Sequence, residues 1–112
     1  MTKSREDLIA RALRKLGAVS AGQAPAAEDA QLLDDEIEPV MADLMARGVY
    51  AWGDPEVIED DAFVHLADIL ANSVARDFGK PQDDAMRLAA ERRLRQLEAV
   101  VLSGQPQVTE YF

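Results

Sequence analysis

Apolar residues recur along this chain at intervals of three and four, in four blocks, and each block runs up to a glycine. Leu8, Ile9, Ala12, Leu13 and Leu16 lead to Gly17, and Leu33, Ile37, Met41, Leu44 and Met45 lead to Gly48. Phe63, Leu66, Ala67, Leu70, Val74 and Phe78 lead to Gly79, and Ala90, Leu94, Leu97 and Val101 lead to Gly104. Such spacing lines up side chains on one face of a helix. Glycine readily takes the left-handed conformation that closes a last turn. The pattern predicts helices over 5–16, 26–47, 60–78 and 83–103, with Phe63, Leu66, Leu70, Leu94 and Leu97 in one core.

Start signals agree with these stops. Ser4 can cap the first helix, with Glu6 and Asp7 beside its positive end. Glu28 and Asp29 open the second, Asp60 or Asp61 the third, and Pro81 with Asp83 and Asp84 the fourth. Pro39 falls inside the second, where it removes a donor and crowds the preceding turn at a cost of ~3 kcal/mol. The apolar phase nevertheless runs on from Leu33 to Leu44, so a single kinked helix is expected.

Ala and Leu carry most of the apolar content and six residues are aromatic, a mixture that favours helix over strand. With 112 residues there is room for one core. The expected fold is all-α: a four-helix domain over 1–104 and an extended C-terminal tail over 105–112, where Gly104 and Pro106 break the last helix. Between the second and third helices, residues 48–60 change character. Val49, Tyr50, Trp52, Val57 and Ile58 flank the turn residues Gly53, Asp54 and Pro55, which suits a short hairpin or an ordered aromatic loop.

Twenty-one acidic residues against 12 basic ones give a formal net charge of -9. A surface of that sign keeps a protein soluble and repels phosphate backbones, which argues against wrapping nucleic acid over a broad face. Cysteine is absent, which excludes disulfides, thiolate metal sites and thiol nucleophiles. The charged, amphipathic N-terminus resembles neither a signal peptide nor a membrane span, so synthesis in the cytoplasm and no membrane partner are expected.

Little in the sequence points to chemistry. His65 is the single histidine and has no further His or Cys at ligand spacing, so it reads as a partly exposed structural residue. The acidic runs Asp34-Asp35-Glu36, Glu59-Asp60-Asp61 and Asp83-Asp84 lack calcium-loop spacing, and two of them stand where helices begin. Arg87, Arg92, Arg93 and Arg95 alternate with Glu91 and Glu98, which suggests ion pairs on a solvated helix face. No catalytic, cofactor-binding or metal-binding residues are expected. Aromatics in accessible places are candidate contacts, because they bury a large area at low entropic cost. Tyr50 and Trp52 in the loop, and Val108, Tyr111 and Phe112 in the tail, are the candidate partner-binding residues.

Two stretches carry a family resemblance. Ala12-Leu13-Arg14-Lys15-Leu16-Gly17, followed by Gly22, Pro25, Glu28-Asp29-Ala30 and a long helix, resembles the start of phage head–tail connector (adaptor) proteins. Phe63-Val64-His65-Leu66-Ala67, through Asp77-Phe78-Gly79-Lys80-Pro81, is similar to the third-helix region of that family. The resemblance implies a structural virion protein at the head–tail junction, in a phage or a prophage-derived gene transfer agent. It implies a ring of copies, a dodecamer in the particle, beneath the portal protein. That ring would join the portal to a stopper or tail-completion protein and help retain packaged DNA, which passes through without sequence-specific binding. It would also place Tyr111 and Phe112 on a portal-facing tail and the Trp52 loop against a neighbour. The alternative is a cellular helical interaction module, a small regulator or chaperone-like binder; a third reading is an enzyme with a carboxylate site.

Overall fold

The computed structural model describes residues 2–19, 22–51, 53, 54 and 56–103, with backbone alone over 99–103. Its four α-helices are α1 (Arg5–Lys15), α2 (Ala27–Ala46), α3 (Asp60–Ser73) and α4 (Asp84–Ser103). The domain is all-α apart from one short two-stranded ladder.

Helix α1 begins in a reciprocal cap. Ser4 Oγ accepts from the Asp7 N–H at 3.1 Å, and Asp7 Oδ2 accepts from the Ser4 N–H at 3.0 Å. Two otherwise orphaned donors are thereby satisfied. The helix ends at Gly17, whose φ of 72° lets Ala18 N–H reach back to the Leu13 carbonyl at 2.9 Å. Helix α2 runs unbroken through Pro39, as its apolar phase requires. Leu33, Ile37, Met41 and Leu44 are buried, but Met45 is half exposed, one residue out of phase with Leu44.

Helix α3 is the centre of the packing and touches α1, α2 and α4. Eight of its residues are buried, among them Phe63, Leu66, Ile69 and Leu70. The third predicted helix does not stay α-helical to Phe78. It closes at Ser73, whose Oγ donates to the Leu70 carbonyl at 2.7 Å, and Ala75–Phe78 tightens into a 3-10 turn. Leu94 packs fully buried in the same core and Leu97 partly so.

The strand character between α2 and α3 is real but its partner is distant in sequence. Ile58–Glu59 (β2) pairs antiparallel with Thr2–Lys3 (β1), with Thr2 opposite Glu59 and Lys3 opposite Ile58. A local hairpin over 48–60 is therefore not what holds Ile58. The ladder joins the start of the chain to the entrance of α3, and Ile58 is buried beneath it.

Three ion pairs stitch α1 to its neighbours. Arg5 Nε donates to Asp34 Oδ1 at 2.7 Å and Arg5 Nη1 to Glu38 Oε2 at 2.9 Å, while Lys15 Nζ meets Asp68 Oδ1 at 2.7 Å. Leu70 is fully buried at the meeting point of the helices, so Leu70→Ala should cost ~2–5 kcal/mol. Urea unfolding followed by far-UV circular dichroism measures it, against a wild-type spectrum dominated by helix.

Candidate functional site

An open groove of about 600 Å³ lies where α2, α3 and α4 come together. Val40, Leu44 and Ile69 give it an apolar lining, and Glu36, Asp43, Arg47, Asp84, Arg87 and Glu91 give it charge. Its most unusual member is Glu91, a carboxylate on α4 whose side chain is only 2% exposed.

A buried charge is tolerated only when it is paired and hydrogen-bonded. Arg47, the C-terminal cap of α2, supplies a fork: Nη1 donates to Glu91 Oε1 at 3.0 Å and Nη2 to Oε2 at 2.8 Å. Arg87, one turn earlier on α4, donates from Nη1 to Oε2 at 3.0 Å. Asp43 in turn accepts from Arg47 Nε at 3.0 Å and fixes the plane of the fork. Bidentate guanidinium–carboxylate geometry of this kind sets direction as well as distance.

These bonds hold the charges in place. Hydrogen bonding from Arg47, then from Arg87, keeps the Glu91 carboxyl below the usual carboxylate range against the opposing effect of burial. The same carboxylate, with Asp43, pushes the Arg47 guanidinium up from its already high value. Neither group therefore exchanges a proton near neutral pH. The arrangement can lock helices and present fixed charge; it is not poised for proton transfer.

The groove's far end is organised by Asn72, a buried polar residue near the end of α3. Its Oδ1 accepts from the Asp83 N–H at 2.7 Å, and its backbone carbonyl accepts from Gln82 Nε2 at 3.3 Å. Asp83 Oδ1 then accepts from the Met86 N–H at 3.0 Å and caps α4. One asparagine thus anchors the chain that leads into the last helix.

Of the five residues expected from sequence to meet partners, only Tyr50 lies within the described part of the chain. Trp52, Val108, Tyr111 and Phe112 lie outside the described residues. Tyr50 is half-buried and packs against the core, and burial, with Glu98 and Glu59 nearby, raises its hydroxyl pKa. The loop backbone is tied down beside it, since Val49 N–H donates to the Leu44 carbonyl at 2.8 Å and Ala51 N–H to Glu98 Oε1 at 3.2 Å. Residues Asp60 and Asp61 stand in the first turn of α3 and Asp84 in that of α4, where the helix dipole favours them. Among the described residues no group of three or more His, Asp or Glu is placed to hold a metal ion.

Glu91 requires a correction. It does pair with Arg87, as the i, i+4 spacing suggests, but it is buried and its stronger partner is Arg47 of another helix. The signal was its phase, three residues before the buried Leu94 on the apolar side of α4. Asn72 carried a weaker signal, a polar residue directly after the buried pair Leu70 and Ala71.

Site and fold together define a small all-α domain with an open, charged groove locked by a buried carboxylate. No protein-family model and no curated protein matches the chain. Among the described residues no helix is long and apolar enough to cross a membrane.

Removing Arg47 leaves a buried carboxylate with one partner. Arg47→Ala should therefore destabilise the fold by about 3 kcal/mol, as read from urea midpoints. Because the folded-state pKa of Glu91 is lowered, its contribution is present above the unfolded carboxyl pKa and is lost as pH falls through the folded value. Wild type should accordingly lose stability more steeply than Glu91→Gln on acidification below the ordinary carboxylate range, as measured by thermal melts across a pH series.

Proposed function

We propose that this chain is a structural head–tail connector, a virion protein that forms a ring between a portal protein and a stopper or tail-completion protein and carries no catalysis. The observation that supports the reading best is where the resembling segments fall. Ala12–Gly17 closes α1 through its glycine cap. Phe63–Ala67 contributes three residues to the core, Phe63, Leu66 and Ala67, with Val64 outside it and His65 half-buried. Asp77–Pro81 contains the left-handed Gly79 that turns the chain from the 3-10 segment toward α4. The resembling segments thus bring six residues to the core, Ala12, Leu13, Leu16, Phe63, Leu66 and Ala67, while Arg14, Lys15 and most of Asp77–Pro81 are exposed.

The groove gives the alternative its footing. An open cleft with an apolar lining and fixed charges is also what a cellular helical interaction module would offer a partner. The two readings differ in what they assemble with. On the connector reading the chain rings a cognate portal with copies matched to its symmetry, and DNA passes through without sequence-specific contact. Mixing the purified chain with its portal and imaging by cryo-electron microscopy should show an added ring; a portal that stays bare contradicts the reading.

The tail supplies a sharper test. Residues 105–112 include Val108, Tyr111 and Phe112, anchors that could seat in a neighbouring groove. Repetition around a ring would multiply weak contacts into a firm joint. Deleting 105–112 should leave helix content and melting almost unchanged while abolishing portal attachment, as followed by native mass spectrometry. Full attachment of the truncated chain would move the anchor to the loop around Trp52.

A further inference from the structure

Two faces of the domain carry opposite excess charge. The first is a cleft of about 210 Å³ lined by Lys3, Asp7, Ala10, Arg11, Arg14 and Phe63. Three cations stand there against one carboxylate, and that carboxylate, Asp7, already caps α1 with Ser4. Among the described residues Arg5, Lys15, Arg47 and Arg87 form salt bridges, whereas Lys3, Arg11 and Arg14 form none, as is also true of Arg76, Lys80, Arg92, Arg93 and Arg95 elsewhere on the domain. Arg11 Nε is in addition buried without a hydrogen-bond partner. Buried donors are normally satisfied, and the buried oxygens Asp60 Oδ1 and Asp68 Oδ1 likewise lack hydrogen-bond partners. In a chain of net charge -9, solubility gives no reason to gather unpaired cations on one face.

The second face is the groove between α2 and α4. Its lining sets four carboxylates against two guanidiniums, and Glu91 engages both guanidiniums. Asp43 also pairs with Arg47 at 2.8 Å and Asp84 stands 3.9 Å from Arg87, so the lining keeps a net excess of two negative charges, and Asp84 is 81% exposed. The two faces are complementary in charge and similar in excess. They also share no lining residue. Phe63 marks the cleft and Asn72 the groove, both on α3, and they stand nine residues apart. That is about two and a half helical turns, or about 14 Å along the helix axis. One molecule cannot bring its own two faces together, but two copies can.

We propose that the Lys3–Arg11–Arg14 cleft of one copy docks on the Glu36–Asp43–Asp84 groove of the next, a head-to-tail contact between copies of this chain. Contacts of this kind join different patches on the two partners, and they close into rings when the rotation between copies is right. Pro39 and Val40, the apolar lining residues that remain accessible, lose water on docking, while the charges select the partner and the register. The contact deepens the connector reading by naming the faces between ring subunits, and it rests on that reading only for the place where the ring sits.

A charge exchange tests it with the full-length chain. Lys3→Glu with Arg14→Glu makes both faces acidic, and Glu36→Lys with Asp84→Lys makes both basic. All four positions lie outside the buried core, and thermal melts establish that each double variant remains folded. Sedimentation velocity at about 50 mM salt should show wild-type association that weakens roughly tenfold or more at about 500 mM salt. Each variant alone should associate at least about tenfold more weakly than wild type, and an equimolar mixture of the two should regain association to within about threefold. The mixture offers acidic cleft to basic groove and basic cleft to acidic groove, so the proposed pairing requires its recovery. Folded variants that associate like wild type, a mixture that stays monomeric, or a wild-type chain that stays monomeric at millimolar concentration would each overturn the contact. Repeating the comparison on a cognate portal separates the two ideas. A full ring of Lys3→Glu/Arg14→Glu chains refutes the contact and leaves the connector intact. Salt-sensitive association in solution without portal attachment supports the contact and removes the connector.

Discussion

Eight of the fourteen residues of α3 are buried, spread over more than one face, and a helix of that kind is stable only when neighbours cover it. The rest of the domain answers that demand. Helix α1 supplies Leu8, Ala12 and Leu13, α2 supplies Leu33, Ile37 and Leu44, and α4 supplies Ala90 and Leu94. Burial of these side chains is the main favourable term, at roughly 1.5–3 kcal/mol for each large aliphatic one. Ile58 and the short ladder between the chain start and the entrance of α3 seal one end.

Because α2 and α4 both lean on α3, the seam between them is left open as a groove. The Arg47–Glu91 fork crosses that seam from the end of α2 to the middle of α4. A hydrophobic pair there would pack as well, but it would not fix the same distance and orientation. The ion cluster therefore holds the groove at a set width, and its carboxylate stays charged because the two guanidiniums lower its pKa.

Charge is distributed over this domain with more order than its net value suggests. Many of its cations are spent on carboxylates of adjacent helices, as at Arg5 and Lys15. Three others, Lys3, Arg11 and Arg14, gather beside Phe63, and an excess of carboxylate lines the groove. On the connector reading, a protein whose work is assembly needs complementary faces that it cannot satisfy within itself.

The sequence by itself determined the four helices, because helical phase and glycine stops are local properties that each segment carries alone. It determined the continuity of α2 through Pro39 for the same reason, since the buried phase of Leu33, Ile37, Met41 and Leu44 outweighs one lost hydrogen bond. It also identified Ser4 as a cap and the acidic residues at the starts of α3 and α4. Only the tertiary structure decided that Ile58 pairs with Lys3, that Met45 faces water, and that Glu91 takes its fork from a residue 44 positions away. Each of those outcomes depends on which segment arrives next to which. The site was less legible than the fold for that reason: a periodic stripe announces itself within a few turns, whereas a buried carboxylate looks like any surface Glu until its partner from another helix is in place.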